Sequence, residues 1–70
     1  MGGFILLKNR LLEIRLSLGY KFQKDFAEKL GMSKKDYNLI ENNKKGISLE
    51  KAIDIAEKLN MKVEDIWFKE

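Results

Sequence analysis

Lys34-Lys35, Lys44-Lys45 and Asn38 are the residues of this chain best placed by type and spacing to do chemistry. A lysine ammonium can meet a phosphate oxygen or donate to guanine N7 and O6, and an asparagine amide can pair with an adenine edge. Each also has a plainer reading: Lys34 and Lys35 as a solvated helix start, Asn38 as an ordinary surface amide, Lys44 and Lys45 as a soluble loop. Lysines at a helix N-terminus oppose the macrodipole, a local cost that favours a role in phosphate or base contact. Lys21 and Lys24 are weaker candidates of the same kind.

Other chemistries lack their residues. The chain has no histidine and no cysteine, which removes the usual nucleophiles, general bases and zinc ligands. No carboxylates cluster with metal-ligand spacing. Asp25, Glu28, Asp36 and Glu41 are accounted for as surface, cap or ion-pair residues, and 70 residues leave little room for a concave pocket. No enzymatic activity, cofactor, metal or small-molecule ligand is expected. Absence of cysteine suits a reducing compartment, so a cytoplasmic location is expected. The apolar run Phe4-Ile5-Leu6-Leu7 is broken at once by Lys8, Asn9 and Arg10 and is too short to span a membrane. Met1-Gly2 opens like a myristoylation signal, but Leu6 stands where serine or threonine is needed.

The elements that must position these residues are helical. Apolar residues make up 44% of the chain and proline is absent, so a core is affordable and no helix is interrupted. Apolar spacings of three and four predict a first helix over residues 6–18, with Leu7, Leu11, Ile14 and Leu18 on its inner stripe and Gly19 at its end. A second helix is expected over 23–30, with Phe26, Ala27 and Leu30 inward and Gly31 after it. A third opens at Ser33, a good N-cap, with Asp36 able to complete a capping box. Tyr37 and Ile40 face inward, and the helix fades at Asn42 or Asn43. Residues 42–46 read as a loop. Ser48 caps a fourth helix running to residue 59, with Leu49, Ala52, Ile55, Ala56 and Leu59 as its stripe. A last turn or two covers 63–68, where Met61, Val63, Ile66 and Trp67 close the core. No strand signal is present. The expected fold is all-α, a compact bundle of five short helices forming one domain over residues 1–70.

Charge is uneven. Residues 1–32 are net +3, 33–46 net +2 and 47–70 net −2. One face can therefore meet phosphates while the acidic final third stays in solvent. Trp67 and Phe68, being adjacent, cannot both face one way. One is expected on the core and the other exposed or against a second subunit. Phe4, Ile5 and Leu6 raise the same question.

The second and third helices are joined by a turn of about three residues around Gly31 and Met32. This geometry sets the later helix at a steep angle from which it can enter a major groove about 12 Å wide. Here the run Gln23-Lys24-Asp25-Phe26-Ala27-Glu28-Lys29-Leu30-Gly31-Met32-Ser33, continued by Tyr37 and Ile40-Glu41-Asn42, resembles the helix-turn-helix family of phage Cro and cI-type repressors, with a lambda-repressor-like fold. The resemblance extends over residues 7–66 and includes Ser48-Leu49-Glu50, Ile55-Ala56, Leu59, Met61 and Val63.

The resemblance implies roles. Gln23 would meet phosphate or brace the reading helix. Ser33, Lys34 and Lys35 would stand at that helix's exposed start. Asn38 would face the groove, and Asn43, Lys44 and Lys45 would lie in or beside a phosphate-touching loop. Glu41 would pair structurally with Arg15. It further implies sequence-specific binding of double-stranded DNA by a transcriptional regulator or repressor, acting as a homodimer on half-sites about 34 Å apart. The alternative is a protein-interaction module or antitoxin-like adaptor that keeps the fold without binding DNA. Three departures stand out. Gln23 falls one position later after Gly19 than is common. Phe22 replaces the usual hydroxyl N-cap, which costs about 1 kcal/mol unless its ring packs. Leu39 occupies a position that is often polar and base-reading, where it can touch a thymine methyl or a protein partner.

Overall fold

Four helix ends in this protein are built the same way, and the residues that make them explain the chain's path. In the computed structural model, which describes residues 7–69, the elements run β1 (Lys8–Asn9), α1 (Leu11–Ser17), α2 (Gln23–Lys29), α3 (Lys34–Glu41), α4 (Leu49–Lys58), α5 (Val63–Ile66) and β2 (Trp67–Phe68). Gly19, Gly31, Asn43 and Asn60 all have positive φ, between 57° and 88°. Each is followed by a six-to-one hydrogen bond: Tyr20 N to Arg15 O, Met32 N to Ala27 O, Lys44 N to Leu39 O and Met61 N to Ala56 O, at 2.8 to 3.0 Å. This is the Schellman ending, in which a left-handed residue turns the chain and satisfies orphan carbonyls. At three of the four ends the next residue is Tyr20, Met32 or Met61, packed against the core. After α3 it is Lys44, which is exposed.

Helix starts differ more. Ser33 Oγ accepts from Asp36 N, and Ser48 Oγ accepts from Lys51 N, both at 3.1 Å. The carboxylate of Asp36 turns instead to Lys45, at 3.0 Å, so no return arm to Ser33 is formed. A return arm does occur at α5, where Lys62 N donates to Asp65 Oδ2 at 3.1 Å. α2 begins at Phe22 with no side-chain cap, and that ring is 63% exposed.

The helices enclose a core of Leu11, Ile14, Phe26, Ala27, Leu30, Tyr37, Ile40, Ile47, Ala52, Ile55, Ala56, Ile66 and Trp67. Phe26 sits at its centre, edge-on to Tyr37 with ring centroids 5.5 Å apart and tilted against Tyr20 at 5.2 Å. At the α2–α3 turn, Lys58 of α4 donates to Leu30 O at 3.1 Å. A Cβ on Gly31 would lie 2.8 Å from that ammonium. Gly31 thus serves both the turn and the lysine that caps the end of α2.

Several expectations give way. Residues 8 and 9 are not helical. They pair antiparallel with β2, Lys8 opposite Phe68 and Asn9 opposite Trp67, and Arg10 N donates to Ile66 O at 2.8 Å. A ladder this short has no period to read, and Leu7 lies four residues before Leu11 but precedes β1 and is not helical. The same ladder stops α5 at Ile66, because Trp67 is already extended. Leu18 and Leu49, assigned to inner stripes, are each at least half exposed. Leu18 stands at the C-cap of α1, where the chain is already leaving the stripe. Trp67 is buried and Phe68 half-buried, with the Arg10 guanidinium 4.3 Å from the Phe68 ring centroid. The expectations for Phe4, Ile5, Leu6 and a helix start at residue 6 lie outside the described residues. The fold is a compact all-α bundle carrying a helix-turn-helix, consistent with the lambda-repressor-like architecture.

Candidate nucleic-acid interface

α2 and α3 hold one another through both apolar and polar contacts. Tyr37 and Ile40 anchor the inner side of α3, and beside them lies a chain of hydrogen bonds. Arg15 Nε meets Glu41 Oε2 at 3.0 Å, with side-chain exposures of 8% and 6%. The Tyr37 hydroxyl donates to the same oxygen. Gln23 Nε2 donates to Glu41 Oε1 at 2.7 Å, and Asn38 Nδ2 donates to Gln23 Oε1 at 3.0 Å. Arg15 also reaches the carbonyls of Tyr20 and Lys21 at 3.1 and 2.8 Å. One guanidinium thus joins the turn after α1, the start of α2 through Gln23, and the end of α3.

The ionisation of this cluster follows from its contacts. Burial opposes the Glu41 charge, but hydrogen bonds from Arg15, Tyr37 and Gln23 outweigh it and hold the carboxyl below its usual range. Burial, aided by the bond to Glu41, pushes the Tyr37 hydroxyl far above its ordinary value. The bond to Glu41 likewise raises Arg15. Glu41 is therefore an anion and Tyr37 a neutral donor at neutral pH. No buried side-chain nitrogen or oxygen among the described residues lacks a partner.

The outer side of α3 is different. Ser33, Lys34 and Lys35 are exposed, and neither lysine forms a salt bridge among the described residues. Ser33 is occupied by its cap. Asn38 and Leu39 are half-buried, and Asn38 is drawn toward Gln23. Lys44 is exposed at the helix end. Lys45 is exposed too but spans to Asp36, whose carboxyl that ammonium holds below the usual range. Asn43 Oδ1 accepts from Asn9 at 3.0 Å. The structure therefore gathers Arg15, Gln23, Asn38 and Glu41 into one network. Lys34, Lys35 and Lys44 stay outside it.

The sequence reading does not find two supporting residues. Asn9 donates to Ile40 O at 2.9 Å and to Asn43, while its own oxygen accepts from Leu11 N at 2.9 Å. It fastens β1 to the end of α3 and starts α1. An asparagine two residues before the first apolar helical position was the available signal. The other is the Tyr37 hydroxyl, whose four-residue spacing to Glu41 on one helix face was legible.

A short helix, a tight turn and a second helix with one side anchored and one side open define a helix-turn-helix protein. The helix-turn-helix family profile matches residues 11–66, and the chain belongs to that family. No curated protein and no solved structure matches it. Membership indicates a DNA-binding, regulatory role in general terms, with DNA as partner, and domains of this kind are typically not catalysts. Among the described residues no His, Cys, Asp or Glu side chains gather in threes as a metal site. No helix there is long and apolar enough to cross a membrane.

Proposed function

We propose that the chain is a sequence-specific transcriptional regulator of the Cro/cI-type repressor kind, which lays the outer side of α3 in the major groove of double-stranded DNA. The observation that carries this reading is the division of α3. Its inner side is locked by Tyr37, Ile40 and the buried Glu41, while Lys34 and Lys35 project with no ion-pair partner among the described residues. Lys34, Lys35, Lys44 and the loop residues Asn43 and Lys45 would meet phosphates, with Ser33, Asn38 and Leu39 nearest the base edges. Gln23 would keep its bracing bonds and use its remaining N–H toward phosphate.

One module of this size covers a short half-site, so the protein would act as a homodimer on a near-palindromic operator in the cytoplasm. Leu12 and Leu16, one turn apart on α1, are each about half exposed. They favour a protein contact of some kind, and so also keep open an adaptor that binds another protein instead of DNA. Titration of the full chain with duplex DNA at two salt concentrations separates the readings. The regulator binds, and its affinity falls steeply as salt rises through loss of counterion release. An adaptor shows no duplex affinity even at low salt.

A further inference from the structure

The orientation of the Asn38 amide is dictated by a charge it does not touch. Glu41 is ionised and can only accept hydrogen bonds. The end of Gln23 that meets it must be the amino group, as the 2.7 Å contact from Nε2 requires. The other end of Gln23 is then a carbonyl, so the end of Asn38 that meets it must be its amino group. Turning Asn38 over would set two carbonyl oxygens against each other. Turning both amides would set the Gln23 carbonyl against the carboxylate. Only one polarity satisfies all three groups, and Arg15 and Tyr37 hold Glu41 in place at the head of the chain. Asn38 Oδ1 has no hydrogen-bond partner among the described residues, and since no buried side-chain oxygen there lacks one, it keeps some exposure to solvent.

We infer that Glu41 and Gln23 act as positioning residues that make Asn38 present an acceptor outward, so that the protein selects a base with an exocyclic amino group, adenine or cytosine, at the position Asn38 reaches. In the major groove adenine N6 and cytosine N4 donate, whereas guanine and thymine offer only acceptors there. With adenine, the second Asn38 N–H can also reach N7. The inference rests on the DNA-binding reading above and adds a base preference to it.

The test is selection of bound duplexes from a random pool, run with the full-length wild-type chain, Asn38→Ala, Gln23→Ala and Gln23→Met. Circular dichroism establishes that each variant is folded, and Gln23→Met keeps side-chain volume where alanine loosens the α2 start. Wild type is expected to favour, by about fivefold or more, the orientation of one base pair that puts its adenine or cytosine on the strand Asn38 reaches, the worth of one hydrogen bond at a base edge. Asn38→Ala erases that preference. Both Gln23 variants reduce it below about twofold, because a freed amide can turn over, while preferences at other positions persist. A uniform loss of affinity from a missing phosphate contact would not change these ratios. A preference at the Asn38-dependent pair that survives replacing the exocyclic amino group of its adenine or cytosine by hydrogen in a synthetic duplex, or one untouched in the Gln23 variants, overturns the inference and leaves the regulator standing. A wild-type chain that retains no duplex overturns both.

Discussion

α3 and α4 are built alike at both ends and differ in what they show to solvent. Each starts at a serine whose oxygen accepts from the third helical amide, and each ends at a left-handed asparagine with a six-to-one bond behind it. The charges of α4 suit a helix. Glu50 lies in its first turn and Lys58 in its last, and Asp54 lies 3.9 Å from Lys51 and 3.2 Å from Lys58. Those of α3 are mixed, with Asp36 in the first turn suiting a helix and the others opposing one. Lys34 and Lys35 crowd the positive end, no basic residue lies in the last turn, and Glu41 sits at the negative end, held there by Arg15. Local stability explains the surface of α4 and does not explain that of α3. What α3 lacks as a helix it offers as a surface for an anion.

The largest expected effect breaks the buried side of that comparison. Arg15→Ala strands the Glu41 carboxylate and should cost about 3–5 kcal/mol, enough to unfold much of so small a domain in a urea titration. Asp54→Ala on α4 should cost less than about 0.5 kcal/mol, since its ion pairs are solvent-exposed. Equal losses would remove the distinction.

The exposed sides come next. Lys34→Ala with Lys35→Ala should lower duplex affinity at least about tenfold at low salt and reduce the salt slope by about 2. The same change at Lys51 of α4 and Lys69, both away from the α2–α3 turn, should leave DNA binding unaltered. Thermal stability of the α3 variant should hold or rise by a few tenths of a kcal/mol, because first-turn lysines oppose the dipole. A matched loss of affinity from both pairs would mean that only net charge matters.

Acid titration sharpens the role of Glu41. Its carboxyl is held below the ordinary 4.5 in the fold, so the unfolded chain takes up that proton first as pH falls. The stability it contributes is complete above about pH 4.5 and is lost as pH drops through the depressed value. Glu41→Gln should be less stable at neutral pH and show a flatter acid limb in denaturation curves. An unchanged acid limb would place the pH response elsewhere.

The smallest effect concerns the start of α2, which lacks the cap that α3 and α4 both have. Phe22 is exposed and supplies no side-chain cap. Phe22→Ser should raise stability by about 1 kcal/mol, measurable as a higher urea midpoint. A loss instead would mean that the ring is held by something its exposure does not reveal.

How much of this was legible depends on how local the cause is. Ser33, Ser48, Gly19, Gly31, Asn43 and Asn60 act through their own backbone and near neighbours, so helix ends could be placed from residue type alone. The stripes of α2 and the inner side of α3 repeat over enough turns to show a period. The β1–β2 ladder could not be read, because two-residue strands carry no alternation and their pairing joins residues about sixty positions apart. Leu7, Leu18 and Leu49 fit a helical period that the chain does not follow at those points. The pairing of Arg15 with Glu41 came through resemblance. The inward turn of Asn38 came from neither source, since it depends on Gln23 lying between two helices with both ends engaged.

The most direct test of the central claim is to follow backbone amide resonances of the full chain as duplex DNA is added at low ionic strength. The account predicts shifts concentrated at residues 33–39 and 43–45, with residues 49–58 of α4 unmoved. Shifts centred on α4, or none on α3 while the protein remains folded, would contradict it.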